Sequence, residues 1–232
     1  MRKRIRDYGI IIGKHRPGAL NKITDVPGVQ VGHATVDTED HKTGVTVILP
    51  CEDNPFVNKL TAAAYVHNGF GKTTGTLQIA ELGTLETPIA LTNTLNVGLV
   101  QDALVDYMIT KCRAEKVQVS TVNAVVGECN DGFLNRIRER AVGKEEVYQA
   151  IQSASRDFEE GDVGAGKGTS CFGMKGGIGS ASRILELDGK EFVIGALVQS
   201  NFGSTENFML NGRMLGRELD ARIREKQKDE GS

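Results

Sequence analysis

Apolar and polar positions trade places along this chain with periods that predict strands and helices in turn. Residues 23–36 (ITDVPGVQVGHATV) read as a turn at Pro27-Gly28 followed by a strand with Val29, Val31 and His33 on alternate positions. Residues 44–50 (GVTVILP) are β-branched, apolar and bounded by Gly and Pro, which predicts a buried strand. A third apolar run covers 61–66, and a short strand-like one at 88–91 ends in the polar turn Thr92-Asn93-Thr94. Asn96 reads as the N-cap of a helix running to about residue 115, since Val100, Leu104, Met108 and Cys112 recur at every fourth position. Residues 117–126 alternate in part and predict a strand that runs into Gly127-Glu128-Cys129-Asn130-Asp131-Gly132. Phe133, Leu134 and Ile137 predict a short helix with Gly143 just past its end. A further helix is predicted over 145–160, with Val147, Ile151, Ala154 and Phe158 inside and Gly161 as its stop.

The most strongly patterned stretch is 164–203. Its approach is a glycine loop: eight of the nineteen residues from 161 to 179 are glycine. Cys171, Phe172 and Met174 interrupt the glycines, so the loop reads as packed or ligand-facing and not as a flexible linker. Two apolar runs then flank Asp188-Gly189, the strongest local signal for a hairpin, because both turn residues must reach positive φ. Beyond residue 203 the dense apolar runs stop. Leu215, Leu219 and Ile223 give one apolar position per helical turn before a mostly charged end, which predicts a solvated helix or loose tail. No internal repeat is present, and the pattern divides the chain into a domain at 1–203 and a charged linker at 204–232.

With 232 residues, 39% hydrophobic and 25% charged, the chain is of ordinary size for one α/β domain. A net charge of −2, few aromatics and no Trp argue against nucleic acid as a partner. No segment approaches the roughly 20 apolar residues of a membrane span, so no membrane partner is expected. Cys51, Cys112, Cys129 and Cys171 form no C-x-x-C pair, which suits a reducing compartment and a cytoplasmic location.

Small polar residues stand at predicted strand ends: Asn68, Asn93, Glu128 and Asn201. Such positions host ligands in open α/β sheets, although an isolated Asn more often forms a turn. His15, His33, His41 and His67 have no metal-ligand spacing, and no G-x-S-x-G elbow is present. Gly161 to Lys167 matches G-x-x-x-x-G-K, the phosphate-binding pattern, but Gly168 stands where Ser or Thr should follow. A phosphate- or nucleotide-binding module using 161–169 is therefore the alternative reading, with an inactive assembly subunit as a third.

Taken together, ITDVPGVQVGHAT, TGVTVILP, HNGFGKTTG, TPIALTNTLNVG, VVGECNDG, GAGKGTSCFGMKGGIGSASR and GALVQSNFG resemble the DmpA-type L-aminopeptidase/D-esterases and β-peptidyl aminopeptidases (the P1 peptidase family), in the same order and over nearly the whole chain to residue 203. The resemblance implies an α/β (α+β) fold, an αββα four-layer sandwich completed by a β segment not in this chain. It implies a precursor that cuts itself at Gly231-Ser232, with Gly203-Ser204 a distant second pair. Glycine leaves the Ser hydroxyl an open path to the preceding carbonyl. An N→O acyl shift and hydrolysis then free an α-amine, of ordinary pKa about 7.7–8.0, that can serve as base for its own hydroxyl.

By the same resemblance Ser232 is the nucleophile and Asn201 donates to the oxyanion. Glu128 receives the substrate's amino group, and Asn130 and Asn68 lie on the substrate side. Some relatives carry an aromatic residue at Asn130, and many carry Glu where this chain has Lys72. The implied activity is removal of N-terminal residues from short peptides, amides or esters, without cofactor or metal. The implied partners are a β chain from the same precursor and a tetramer of αβ units.

Overall fold

The apolar runs settle into a mixed α/β fold, seen in a computed structural model that describes residues 3–230. In chain order the strands are β1 (Gln30–Asp37), β2 (Lys42–Leu49), β3 (Leu60–Thr61), β4 (Thr84–Leu85), β5 (Ile89–Asn93), β6 (Val125–Cys129), β7 (Ser170–Cys171), β8 (Met174–Lys175), β9 (Gly177–Leu187), β10 (Lys190–Ser200), β11 (Met209–Leu210) and β12 (Arg213–Met214). The helices are α1 (Thr76–Leu82), α2 (Val97–Ala114), α3 (Lys144–Gln152) and α4 (Gly216–Glu230). None of them is long and apolar enough to cross a membrane.

The central sheet has the order β1-β2-β5-β6, antiparallel except for the parallel β5–β6 pair. β2 is covered on both faces, which is why residues 43–48 are buried without a break and read as a continuous apolar run. Val45 and Val47 face one core with Ala90, Val126, Leu104 of α2 and Val147 of α3. Ile48 faces the other with Val31, Phe158, Ala165 and Ile178, while Leu197 of β10 packs against it. The layers are thus helices, the four-stranded sheet, and the β9–β10 hairpin. Full burial of a side chain such as Leu104 is worth about 1.5–3 kcal/mol, so the α2 stripe is a main source of stability.

The hairpin turns where the sequence places it: Leu187 pairs Lys190, and Asp188 and Gly189 have φ of 53° and 71°. β10 alternates along its length. Val193, Leu197 and Gln199 turn inward, while Phe192, Ile194 and Val198 form an outer row about half exposed.

Between sheet and hairpin lies the glycine loop, its backbone packed closely against backbone and side chains of both. Gly164, Ala165 and Gly166 form a buried 3₁₀ turn. A Cβ on Gly164 (φ 50°) would stand 2.5 Å from Thr46 Oγ1 and 2.8 Å from His33 Nδ1. One on Gly166 would stand 2.5 Å from the Ile178 nitrogen. The Gly164 N–H donates to Thr35 Oγ1 at 2.8 Å, and the Ala165 N–H to Thr46 Oγ1 at 3.1 Å. His33 Nδ1 lies 2.9 Å from the same Thr46 hydroxyl, and Nε2 lies 3.0 Å from the Glu159 carbonyl.

Three elements differ from the sequence expectation. The 145–160 helix ends at Gln152, because residue 155 leaves it to pair with β1: the Val31 and Ser155 N–H groups exchange bonds with each other's carbonyls at 3.1 and 3.0 Å. Phe158 is buried as expected, but against the His33 ring (centroids 5.8 Å apart) and not on a helix face. The 117–126 strand starts only at Val125, since the short β5 offers a partner only from Ile89, opposite Val125. The short helix expected from Phe133 to just before Gly143 is a turn followed by a single 3₁₀ turn, Ile137–Glu139. Asn135 N–H donates to the Asp131 carbonyl at 3.0 Å, and Phe133 is 85% exposed. In the 61–66 run only Thr61 reaches a strand, and Tyr65 is 87% exposed.

Gly166→Ala is expected to lower the unfolding free energy by about 1–3 kcal/mol, as overpacking against backbone does. Gly98→Ala, in α2 with open space around its Cβ position, should be neutral or stabilising. Urea titration of both variants checks the contrast. Burial holds the His33 imidazole below its ordinary pKa, so the unfolded chain takes up a proton near pH 6.5 where the native protein does not. Stability present above that pH is therefore lost as pH falls through it. In denaturation series from pH 7.5 to 5, His33→Gln should show a shallower decline than the wild type.

Candidate functional site

Parallel pairing of β5 with β6 puts their carboxyl ends side by side, with Thr92 opposite Glu128 and Asn93 opposite Cys129. In α/β sheets this is the end at which chains turn away and leave side chains free to meet a ligand. A loop flanks the same end of β6. Thr74 and Val126 exchange backbone bonds at 3.0 and 3.4 Å, which draws residues 68–74 alongside the strand.

Glu128 is the charged residue of this end. Its Oε1 accepts the Lys72 N–H at 3.1 Å, and its Oε2 accepts the Thr94 hydroxyl. Two donors from different loops thus fix the carboxylate, and each oxygen keeps a lone-pair direction for a further donor. The hairpin arrives from the other side. The Asn201 amide donates to the Asn130 carbonyl at 3.2 Å, which spends one of its two N–H groups and leaves the other. Gln199 fastens the approach by donating to the Thr92 and Ala165 carbonyls at 3.2 and 2.8 Å.

Of the residues singled out in the sequence, Asn201 therefore meets the backbone of Asn130, two residues beyond Glu128. Asn68 lies on the flanking loop, where its Oδ1 accepts the Phe70 N–H at 3.1 Å in a local turn. Asn93 turns inward. Its Oδ1 accepts the Leu95 and Asn96 N–H groups of the 3₁₀ turn Thr94–Asn96 that leads into α2, and its Nδ2 donates to Thr43 Oγ1 at 2.9 Å. Asn93 thus caps the 3₁₀ turn, while Asn96 stands at the N-cap of α2 as expected but makes no side-chain cap bond, donating instead to the Val142 carbonyl at 2.6 Å. Thr94 escaped the sequence reading as a site residue. The one available signal was its place in a polar triplet directly after a buried strand. Gly231 and Ser232 lie outside the described residues.

Two groups of this region are electrostatically unusual. Burial, reinforced by the neighbouring Glu128, pushes the Cys129 thiol up to about 12, and it donates to the Gln199 carbonyl at 3.5 Å. A thiol so held is no nucleophile near neutral pH. Burial also raises Asp131 above the usual carboxylate range, against the opposing hydrogen bonds of Thr43, Asn135 and Asn93.

The rival loop at 161–169 is not arranged for phosphate. Lys167 is paired with Asp37 at 2.5 Å and lies 3.5 Å from Asp162, and Asp37 is held at about 2 by Lys167 and Lys42. The Gly164 and Ala165 amides are engaged by threonine hydroxyls, and that of Gly166 by the Val163 carbonyl. A phosphate would have to displace all of these.

Comparison with known proteins agrees with this geometry. The model of peptidase family S58 matches residues 21–232. The beta-peptidyl aminopeptidases BapA of Sphingosinicella microcystinivorans and Sphingosinicella xenopeptidilytica are 40% and 36% identical over 93% of the chain. The chain spans 56% of the length of these curated relatives. A Burkholderia beta-aminopeptidase superposes with a TM-score of 0.89 at 42% identity, over 94% of this chain and 63% of its own. The L-aminopeptidase D-Ala-esterase/amidase of Ochrobactrum anthropi, a prototype serine aminopeptidase and a variant of the Ntn hydrolase fold, gives 0.86 at 33%, with the same coverage. A protein of Pyrococcus horikoshii OT3 gives 0.90 at 49%, over 94% of this chain and 64% of its own.

Iodoacetamide at pH 7.5 is expected to leave Cys129 unmodified in the native protein and to label it after denaturation, as peptide mass mapping would show. Labelling of the native thiol would contradict its burial.

Proposed function

Because the chain belongs to peptidase family S58, we propose that the protein containing it is a self-processing serine aminopeptidase. It removes N-terminal residues from short peptides, amides or esters. The observation that carries this reading is the fixed carboxylate of Glu128, two residues from the carbonyl that orients Asn201. A free substrate amine needs such an acceptor, and a hydrogen bond between ammonium and carboxylate is among the stronger ones available.

In the proposed reaction the Gly231-Ser232 bond is first cut by the Ser232 hydroxyl, through an ester intermediate that water resolves. The released α-amine of Ser232 then takes the hydroxyl proton as the oxygen attacks the scissile carbonyl. The spare N–H of Asn201 faces the charge that develops on the carbonyl oxygen. Glu128 holds the substrate amine, and Asn130 and the Asn68 loop border it. The outer row Phe192, Ile194 and Val198 supports a further layer, a β chain from the same precursor, since exposed apolar rows of this kind are usually covered. Assembly of such αβ units into a tetramer belongs to the same proposal.

Intact mass and N-terminal sequencing of the full-length protein test the reading. Two polypeptides are expected, one beginning at Ser232, and Ser232→Ala should yield a single longer one with no hydrolysis. An uncut wild type that still hydrolyses peptides would remove the mechanism. Asn201→Ala should lower kcat about 10²–10³-fold, the usual effect of losing an oxyanion donor, while Glu128→Gln should act mainly on KM.

A further inference from the structure

The loop that fixes Glu128 also carries a charge of the opposite sign. Lys72 gives its backbone N–H to Glu128 Oε1, but its ammonium is turned elsewhere. It donates to the Phe70 carbonyl at 2.6 Å and lies 3.9 Å from the centroid of the Phe70 ring, itself 82% exposed. Among the described residues no carboxylate is paired with it.

The site therefore holds a carboxylate acceptor and an ammonium that are not paired with each other. The Lys stem reaches about 6 Å, so the two charges lie within roughly 10 Å of each other. An extended dipeptide spans about 7 Å from amine to carboxylate. A ring under the ammonium keeps it attracted without satisfying it as a carboxylate would.

We propose that Lys72 is a specificity residue which receives the substrate's carboxylate, so that the preferred substrates are zwitterionic short peptides with a free carboxylate one or two residues beyond the amine bound by Glu128. This rests on the aminopeptidase reading above. An interior residue of a long chain, or an amide, offers Lys72 no partner charge and leaves the cation where it is.

The test compares Ala-Ala with Ala-Ala-amide, and Ala-Asp-amide with Ala-Asn-amide, using the full-length protein and its Lys72→Met and Lys72→Glu variants. kcat/KM is measured for each peptide, together with calorimetric binding at a temperature where turnover is slow. The wild type should favour Ala-Ala over its amide roughly fivefold, the scale of a partly exposed ion pair. Lys72→Met should bring the ratio to about one, and Lys72→Glu should invert it. A Lys72-dependent preference confined to the Asp/Asn pair would place the recognised carboxylate on a side chain. Ratios unchanged in both variants would overturn the inference while leaving the peptidase reading intact. Binding with the expected preference but no hydrolysis would uphold it and remove that reading. Neither binding nor hydrolysis would remove both.

Discussion

The constraint on which the rest of the structure depends is the absence of side chains where the glycine loop crosses between sheet and hairpin. The loop backbone is closely approached there: Gly164 by the Val45 carbonyl and the Thr46 and His33 side chains, Gly166 by the Ile178 nitrogen, Gly176 by the Ser200 carbonyl. A methyl group at any of these points would push the hairpin off the sheet. The glycines lose more backbone entropy on folding than other residues would. What offsets that loss is a close approach that lets Ile178 and Leu197 pack with the apolar side chains on the sheet face, Val31 and Ile48.

That close approach sets the position of the candidate site. β10 lies against the sheet because the loop beneath it is thin, and Gln199 is then near enough to bond both the Thr92 end of β5 and the loop carbonyl of Ala165. Two residues on, Asn201 meets Asn130 at the end of β6. The distance between Glu128 and Asn201 is thus governed by how closely two layers stack, not by either strand alone. A site built across layers inherits the rigidity of the packing between them.

Electrostatics at this end follow from burial. Cys129 and Asp131 flank the site and are both shifted toward their neutral forms. Glu128 lies between two loops that donate to its carboxylate. The glycine loop behind keeps its cation, Lys167, for Asp37 and Asp162, so a motif that looks like a phosphate cradle serves to tie the loop to β1. Motif and function separate here because a pattern of residues says nothing of what the amides already hold.

Local pattern by itself determined the central strands, the α2 stripe and the Asp188-Gly189 hairpin, because periodicity and positive φ are properties of adjacent residues. It also marked Asn68, Asn93, Glu128 and Asn201 as polar residues at strand ends, whereas Asn130 was singled out only through the family resemblance. Tertiary pairing decided the rest. Ser155 left its helical period to bridge Val31, residues 117–124 found no strand to pair with, and Asn96, at the N-cap of α2 as its spacing suggests, turned its side chain to the Val142 carbonyl instead of capping the helix. The meeting of Asn201 with Asn130, and of Thr94 and Lys72 with Glu128, joins residues 71, 34 and 56 positions apart. Contacts at such separations carry no local signature, so only the stacking of the layers could place them.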